Sequence, residues 1–148
     1  MSLQDWLKNH WLTEHITSPD EIAKYFRAIN RDLQDCKVES LSEDSRITIA
    51  YSAVLRAANA ALAAEGYRAS REQHHYRAIQ SLTYTIGAET ELIAELEQFR
   101  KKRNMLIYEG IGTTSMHEAN RMIELAEELR ERVLAWMKIK HSDLIESV

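Results

Sequence analysis

Residues 89–110 read ETELIAELEQFRKKRNMLIYEG, and the spacing of the apolar positions within them decides the fold. Leu92, Ile93, Leu96, Phe99 and Ile107 recur at steps of three and four, as on one side of an amphipathic helix. Arg100, Arg103 and Asn104 fall on that same side. At about 100° per residue, Arg100 and Arg103 land near the middle of the apolar stripe, and Tyr108 lies at its edge. Lys101 and Lys102 point outward with Glu91, Glu95 and Gln98. Charged side chains are rarely buried without a partner. Two readings are therefore open. The arginines and the amide pair with carboxylates, line a cleft or meet a second subunit; or the arginines snorkel, their stems covering the core while their heads reach water.

Working outward, Met1 to Ile16 carries Leu3, Trp6, Leu7, Trp11 and Leu12, which suits a short helix packed on the rest of the chain or on a second subunit. Thr17-Ser18-Pro19-Asp20-Glu21 is a helix start, with Ser18 as cap, Pro19 in the first turn and acids following. Ile22, Phe26, Ile29, Leu33 and Cys36 then share a face, so Cys36 reads as a small core residue. The next helix starts near Ser42. Its Ile47, Ala50, Val54, Ala57 and Ala61 form one stripe and Tyr51, Leu55 and Leu62 a second, which places it centrally. Gly66 ends it. Arg46, near its start, is a candidate for the same polar pocket as Arg103, and Asn59 among the alanines calls for a partner.

Ser70 and Gln73 have the spacing of a capping box, opening a helix through His74, His75, Ile79, Leu82, Tyr84 and Ile86 to Gly87. After the helix of residues 89–110, Gly110 and Gly112 break the pattern. Ser115 and Glu118 make another capping box, and Met122, Leu125, Leu129, Val133 and Trp136 form the last stripe. Residues 140–148 read as a flexible tail. The expectation is a single all-α domain over residues 1–148, an antiparallel four- or five-helix bundle with a short first helix in residues 1–16.

Composition agrees. The 148 residues include only four Gly and one Pro, and Ala, Leu, Glu and Arg dominate. No apolar run of membrane-spanning length is expected, and the acid-, amide- and Trp-bearing start is unlike a signal peptide. A single cysteine fits a reducing compartment, so the expected location is cytoplasmic. The net charge of −4 and pI near 5.9 are unlike a general nucleic-acid coat. No DNA contact is expected, and any RNA contact is local. Arg100-Lys101-Lys102-Arg103 is the densest basic run, although such a run also reads as a solvated helix face.

Phosphate-loop, Cys-x-x-Cys and Gly-x-Ser-x-Gly patterns are missing from the sequence, as is the pair of Glu-x-x-His motifs that marks di-iron bundles, Glu72 to His75 being a single such spacing. His74 and His75 point about 100° apart on a helix, a poor chelating pair, and are read as structural or substrate-facing. Neither metal nor cofactor is expected. By elimination, the face bearing Arg100, Arg103, Asn104 and Tyr108 is the chemical candidate.

Phe99-Arg-Lys-Lys-Arg-Asn-Met-Leu-Ile-Tyr-Glu-Gly110 resembles the signature of the HEPN (higher eukaryotes and prokaryotes nucleotide-binding) superfamily, small all-α bundles in which an Arg–Asn start is followed by His or Tyr. Ser45 to Ala53 resembles the family's early helix, and Gly66-Tyr67-Arg68 with His74-His75-Tyr76 its middle connection. The similarity spans residues 41–136. It implies a metal-independent ribonuclease, often a toxin paired with a nucleotidyltransferase antitoxin, working as a homodimer. Arg103 matches the motif arginine, which binds the phosphate undergoing transfer, and Asn104 the polar residue after it. Arg100, Lys101 and Lys102 would assist in binding RNA or a nucleotide.

The chain departs from the family at Tyr108, where the motif has histidine. Tyrosine as a residue type titrates near about 10, histidine near about 6.5, so a tyrosine positions or donates better than it accepts a proton. Three roles follow for Tyr108: orienting RNA, being modified by a nucleotidyltransferase, or marking a domain that binds without cleaving. His74 and His75 are the candidates for supplying the imidazole from another helix. The rival reading is a non-catalytic helical module that binds a nucleotide or a partner protein.

Overall fold

Four serines stand one residue ahead of a helix and accept its N–H groups. Ser2, Ser18, Ser42 and Ser115 take bonds from Asp5, Glu21, Ser45 and Glu118 at 3.2, 3.1, 3.1 and 3.0 Å. At Ser2 and Ser115 the acid three residues on returns a bond to the serine N–H, completing a capping box. A computed structural model describes residues 1–109, 114–146 and 148. Among these the elements are α1 (Leu3–Lys8), β1 (Leu12–Glu14), α2 (Pro19–Asp35), α3 (Glu43–Ala64), β2 (Tyr67–Ala69), α4 (His74–Ser81), α5 (Thr90–Asn104) and α6 (Met116–Lys140). A π turn, Met105–Glu109, extends α5, and a short 3-10 turn, Ser142–Leu144, follows α6. The protein is thus mostly helical, with one small sheet.

α3 is the axis. It lies between α2 and α6 and also touches α4 and α5. Ile47, Ala50, Val54, Ala57 and Ala61 are buried, as are Tyr51 and Leu62 of the second stripe; Leu55 is half-buried. Its alanines let the neighbouring helices approach closely. Ile22, Phe26, Ile29 and Leu33 of α2, with Cys36 at its C-cap, share one core with it, as do Met122, Leu125, Leu129 and Val133 of α6. Asp32, nearly buried on α2, pairs with Arg56 of α3. By length and composition α3 could cross a membrane, which amends the expectation that no run reaches that length; most of it is buried against its neighbours.

Several local expectations give way to tertiary contacts. Residues 1–16 form not one helix but α1 followed by β1, which pairs antiparallel with β2 in the register Leu12–Ala69, Thr13–Arg68, Glu14–Tyr67. Trp6, Leu3 and Leu12 bury themselves with Leu62 and Ala69 in a second small core. Ser70 does not form a capping box with Gln73: its hydroxyl donates to the His10 carbonyl at 2.8 Å, and Gln73 precedes α4 without a side-chain cap. α4 stops at Ser81, so Tyr84 leaves the helix and packs edge-on to Trp6. The tail is held. Leu144 and Ile145 pack on the core, and Lys140 reaches Glu65 at 2.7 Å. Gly66 ends α3 at φ +90°, a left-handed conformation that favours glycine. The expected break at Gly110 and Gly112 lies outside the described residues.

Candidate functional site

α5 and α4 converge on one cavity of about 690 Å³. α5 and its π turn contribute Arg100, Arg103, Asn104 and Tyr108. The start of α4 and the turn before it contribute Arg71, Gln73, His74, His75, Tyr76 and Arg77. Among the described residues four arginines line the space and no carboxylate does. Ile93, Leu96 and Phe99 anchor α5 in the core, which carries its last turn, with Arg100 and Arg103, to the cavity wall. The π turn then changes the helical phase. Ile107, expected on the apolar stripe, is therefore 46% exposed, and Tyr108 is 77% exposed at the cavity mouth.

The two arginines of the stripe are held differently. Arg100 is gripped by Glu97 one turn earlier, its Nε and Nη2 donating to the carboxylate at 3.1 and 2.9 Å. That bond pushes the Arg100 pKa up further. Arg103 pairs with no carboxylate among the described residues. Its guanidinium lies over the Tyr51 ring, 5.6 Å from the centroid, and Nη1 donates to Asn104 Oδ1 at 3.4 Å.

Tyr51 links Arg103 to the histidines. Its hydroxyl meets His75 Nδ1 at 3.3 Å. Burial pushes the phenol pKa well up, so Tyr51 stays protonated. Burial also lowers the His75 pKa, with Arg103, His74 and Arg100 adding to the effect. Burial and then Arg68 lower that of His74. Both imidazoles are thus neutral near pH 7, the state in which a histidine can accept a proton. The first N–H groups of α4 also open here without a side-chain cap, a favourable environment for an anion.

The structure brings together Arg100, Arg103, Asn104, Tyr108, His74 and His75. It places three other candidates elsewhere. Arg46 does not share the pocket of Arg103; its Nε donates to the Cys36 carbonyl at 2.9 Å, closing the end of α2. Lys101 is exposed and does not line the cavity. Lys102 lies 3.6 Å from Glu118 and is likewise not among the lining residues. Arg71, Gln73, Tyr76, Arg77 and Tyr51 were missed. One signal was available: residues 71–77 read REQHHYR, a full turn of helix and more without an aliphatic side chain. Among the described residues no group of three His, Cys, Asp or Glu side chains could hold a metal.

The arrangement can bind an anion through Arg103 and Arg71 and move a proton at a neutral imidazole. No protein-family model, curated protein or solved structure matches this chain.

Proposed function

We propose that this cleft binds the phosphate backbone of RNA and cleaves it without a metal, in the manner of the HEPN ribonucleases its α5 motif resembles. The observation that carries the reading is that Arg103 and His75, from different helices, both contact Tyr51 and both line one open cavity in which no carboxylate appears among the described residues. Arg103, unspent on any carboxylate among the described residues, holds the phosphate. His75 takes the place that Tyr108 leaves empty. It removes the proton from a ribose 2′-hydroxyl, and that oxygen attacks the adjacent phosphorus. The bond from phosphorus to the 5′-oxygen breaks, and the departing oxygen takes a proton from water in the open cleft. The products are a 2′,3′-cyclic phosphate and a 5′-hydroxyl end. Asn104 steadies the guanidinium, and Tyr108 at the mouth meets the incoming strand. On the resemblance, the chain belongs to a toxin–antitoxin or defence pair with a nucleotidyltransferase partner and works as a homodimer.

One observation favours a second reading, binding without cleavage. If the protonated Tyr51 hydroxyl donates to His75 Nδ1, the ring proton sits on Nε2 and the imidazole has no free lone pair for the 2′-hydroxyl.

The deciding experiment is RNA cleavage in a chelating buffer. Cleavage lost in both Arg103→Ala and His75→Ala, with helicity unchanged by circular dichroism, supports the catalytic reading. RNA binding that depends on Arg103 but yields no product supports the second. A wild-type protein that neither binds nor cleaves RNA overturns both.

A further inference from the structure

Arg77 borders two spaces at once. One is the large cavity; the other is a smaller one of about 250 Å³, whose wall includes Trp11, His10, Glu72 and Gln73. Its guanidinium carbon lies 3.8 Å from the centre of the Trp11 ring. The Trp6 and Tyr76 rings stand 5.6 and 5.4 Å away. Three aromatic rings thus surround the guanidinium, and no carboxylate among the described residues pairs with it. A planar cation backed by an indole and reachable from solvent is a surface on which a further flat group can stack.

The rim of the smaller cavity is unusual in its backbone. His10 and Gln73 both line it and both hold positive φ, 63° and 56°, although neither is glycine. Such conformations in non-glycine residues concentrate where structure serves binding. Glu72 and Gln73 add a carboxylate and an amide, the groups that read base edges by hydrogen bonding.

We infer that Arg77, stacked on Trp11, is a nucleobase platform, and that the base beside the phosphate held at Arg103 stacks against it. The inference rests on the reading of the large cavity as a phosphate site. It specifies the substrate as single-stranded RNA, because a base reaches a guanidinium plane only when it is unpaired and splayed from its neighbours. It also gives Trp6 and Trp11 a role beyond packing α1: they hold the cation beside the cleft.

The test is fluorescence anisotropy with three labelled probes: a short single-stranded RNA, the same sequence as a duplex, and the same backbone made abasic. Wild type is expected to prefer the single strand to the duplex. Arg77→Lys, which keeps the charge and removes the plane, is expected to lose about tenfold on the base-bearing strand, the order expected of one base stack, and nothing on the abasic one. Arg103→Ala is expected to weaken both. If Arg77→Lys matches wild type on the base-bearing strand, or loses equally on both strands, the platform is overturned while the phosphate reading survives through Arg103. If wild type binds none of the probes, the phosphate reading fails and the platform with it.

Discussion

The guanidinium of Arg103 lies 5.6 Å from the centre of the Tyr51 ring. Tyr51 is rooted in α3, the most buried helix, and is itself 1% exposed. The arginine is therefore aimed by the core of the protein and not by a surface loop. A cation over a ring is restrained in direction but keeps its hydrogen-bond donors for a ligand.

Arg103→Ala should weaken RNA or sulfate binding by about tenfold or more, the loss expected of a charge-assisted bond worth about 1.5–3 kcal/mol. Its cost in stability should be smaller, about 0.5–1 kcal/mol from the lost ring contact. Titration calorimetry and thermal melting, run on the same preparation, separate the two. Arg103→Lys should recover the charge but not the full affinity, because an ammonium lacks the planar fork.

Stability should fall as pH drops below about 6.5. His74 and His75 have folded pKa values below the ordinary 6.5. Between that value and their folded pKa values, the unfolded chain binds protons that the folded one does not, so acid favours unfolding. A second loss should begin near and below the usual carboxylate range, where Glu95 and Glu21, both lowered, give up their charge. Urea melts as a function of pH check this. The step near neutrality should shrink in His74→Gln/His75→Gln, and the acid step should remain.

Sulfate, which keeps its charge across this range, should bind more tightly as pH falls from 7.5 towards 5.5. After burial, Arg103 and Arg100 hold the His75 proton off; an anion between them offsets that repulsion and raises the pKa. By linkage, protonation then strengthens anion binding. An NMR titration of the His75 ring with and without sulfate reads the shift directly. Its absence in Arg103→Ala is the control.

Glu97→Gln should raise anion affinity severalfold and lower stability. Glu97 neutralises Arg100 from within α5, and both side chains are largely buried. Removing its charge leaves Arg100 available to the cavity at a cost of about 1.5–3 kcal/mol in lost charge-assisted bonds. A variant that binds sulfate no better than wild type would mean that Arg100 contributes nothing to the anion site.

Much of the framework could be read from spacing alone, because Ile22, Phe26 and Ile29 on α2, or Met122, Leu125 and Leu129 on α6, repeat at the pitch of a helix and that pitch is local. The two stripes of α3 announced its central position for the same reason. What escaped depends on distance in the chain. β1 pairs with β2 across some fifty residues, and three-residue strands carry too few positions to alternate. Ser70 has the spacing of a cap but finds the His10 carbonyl instead. The candidate site divides in the same way. Arg100, Arg103 and Asn104 stood out because they break an apolar face, whereas nothing in the order of residues says that Tyr51 of α3 contacts both Arg103 and His75.

The segment before α2 is also more than a beginning. Ser70 N–H bonds the Trp11 carbonyl at 3.0 Å, and His15 N–H bonds that of Gly66 at 2.9 Å. These ties splint the connector that delivers Arg71 through Arg77. A chain shortened to start at Pro19 would lose the Ser18 cap of α2 and uncover Leu62 and Ala69. It would also lose the brace on one wall of the cleft, leaving an unset jaw.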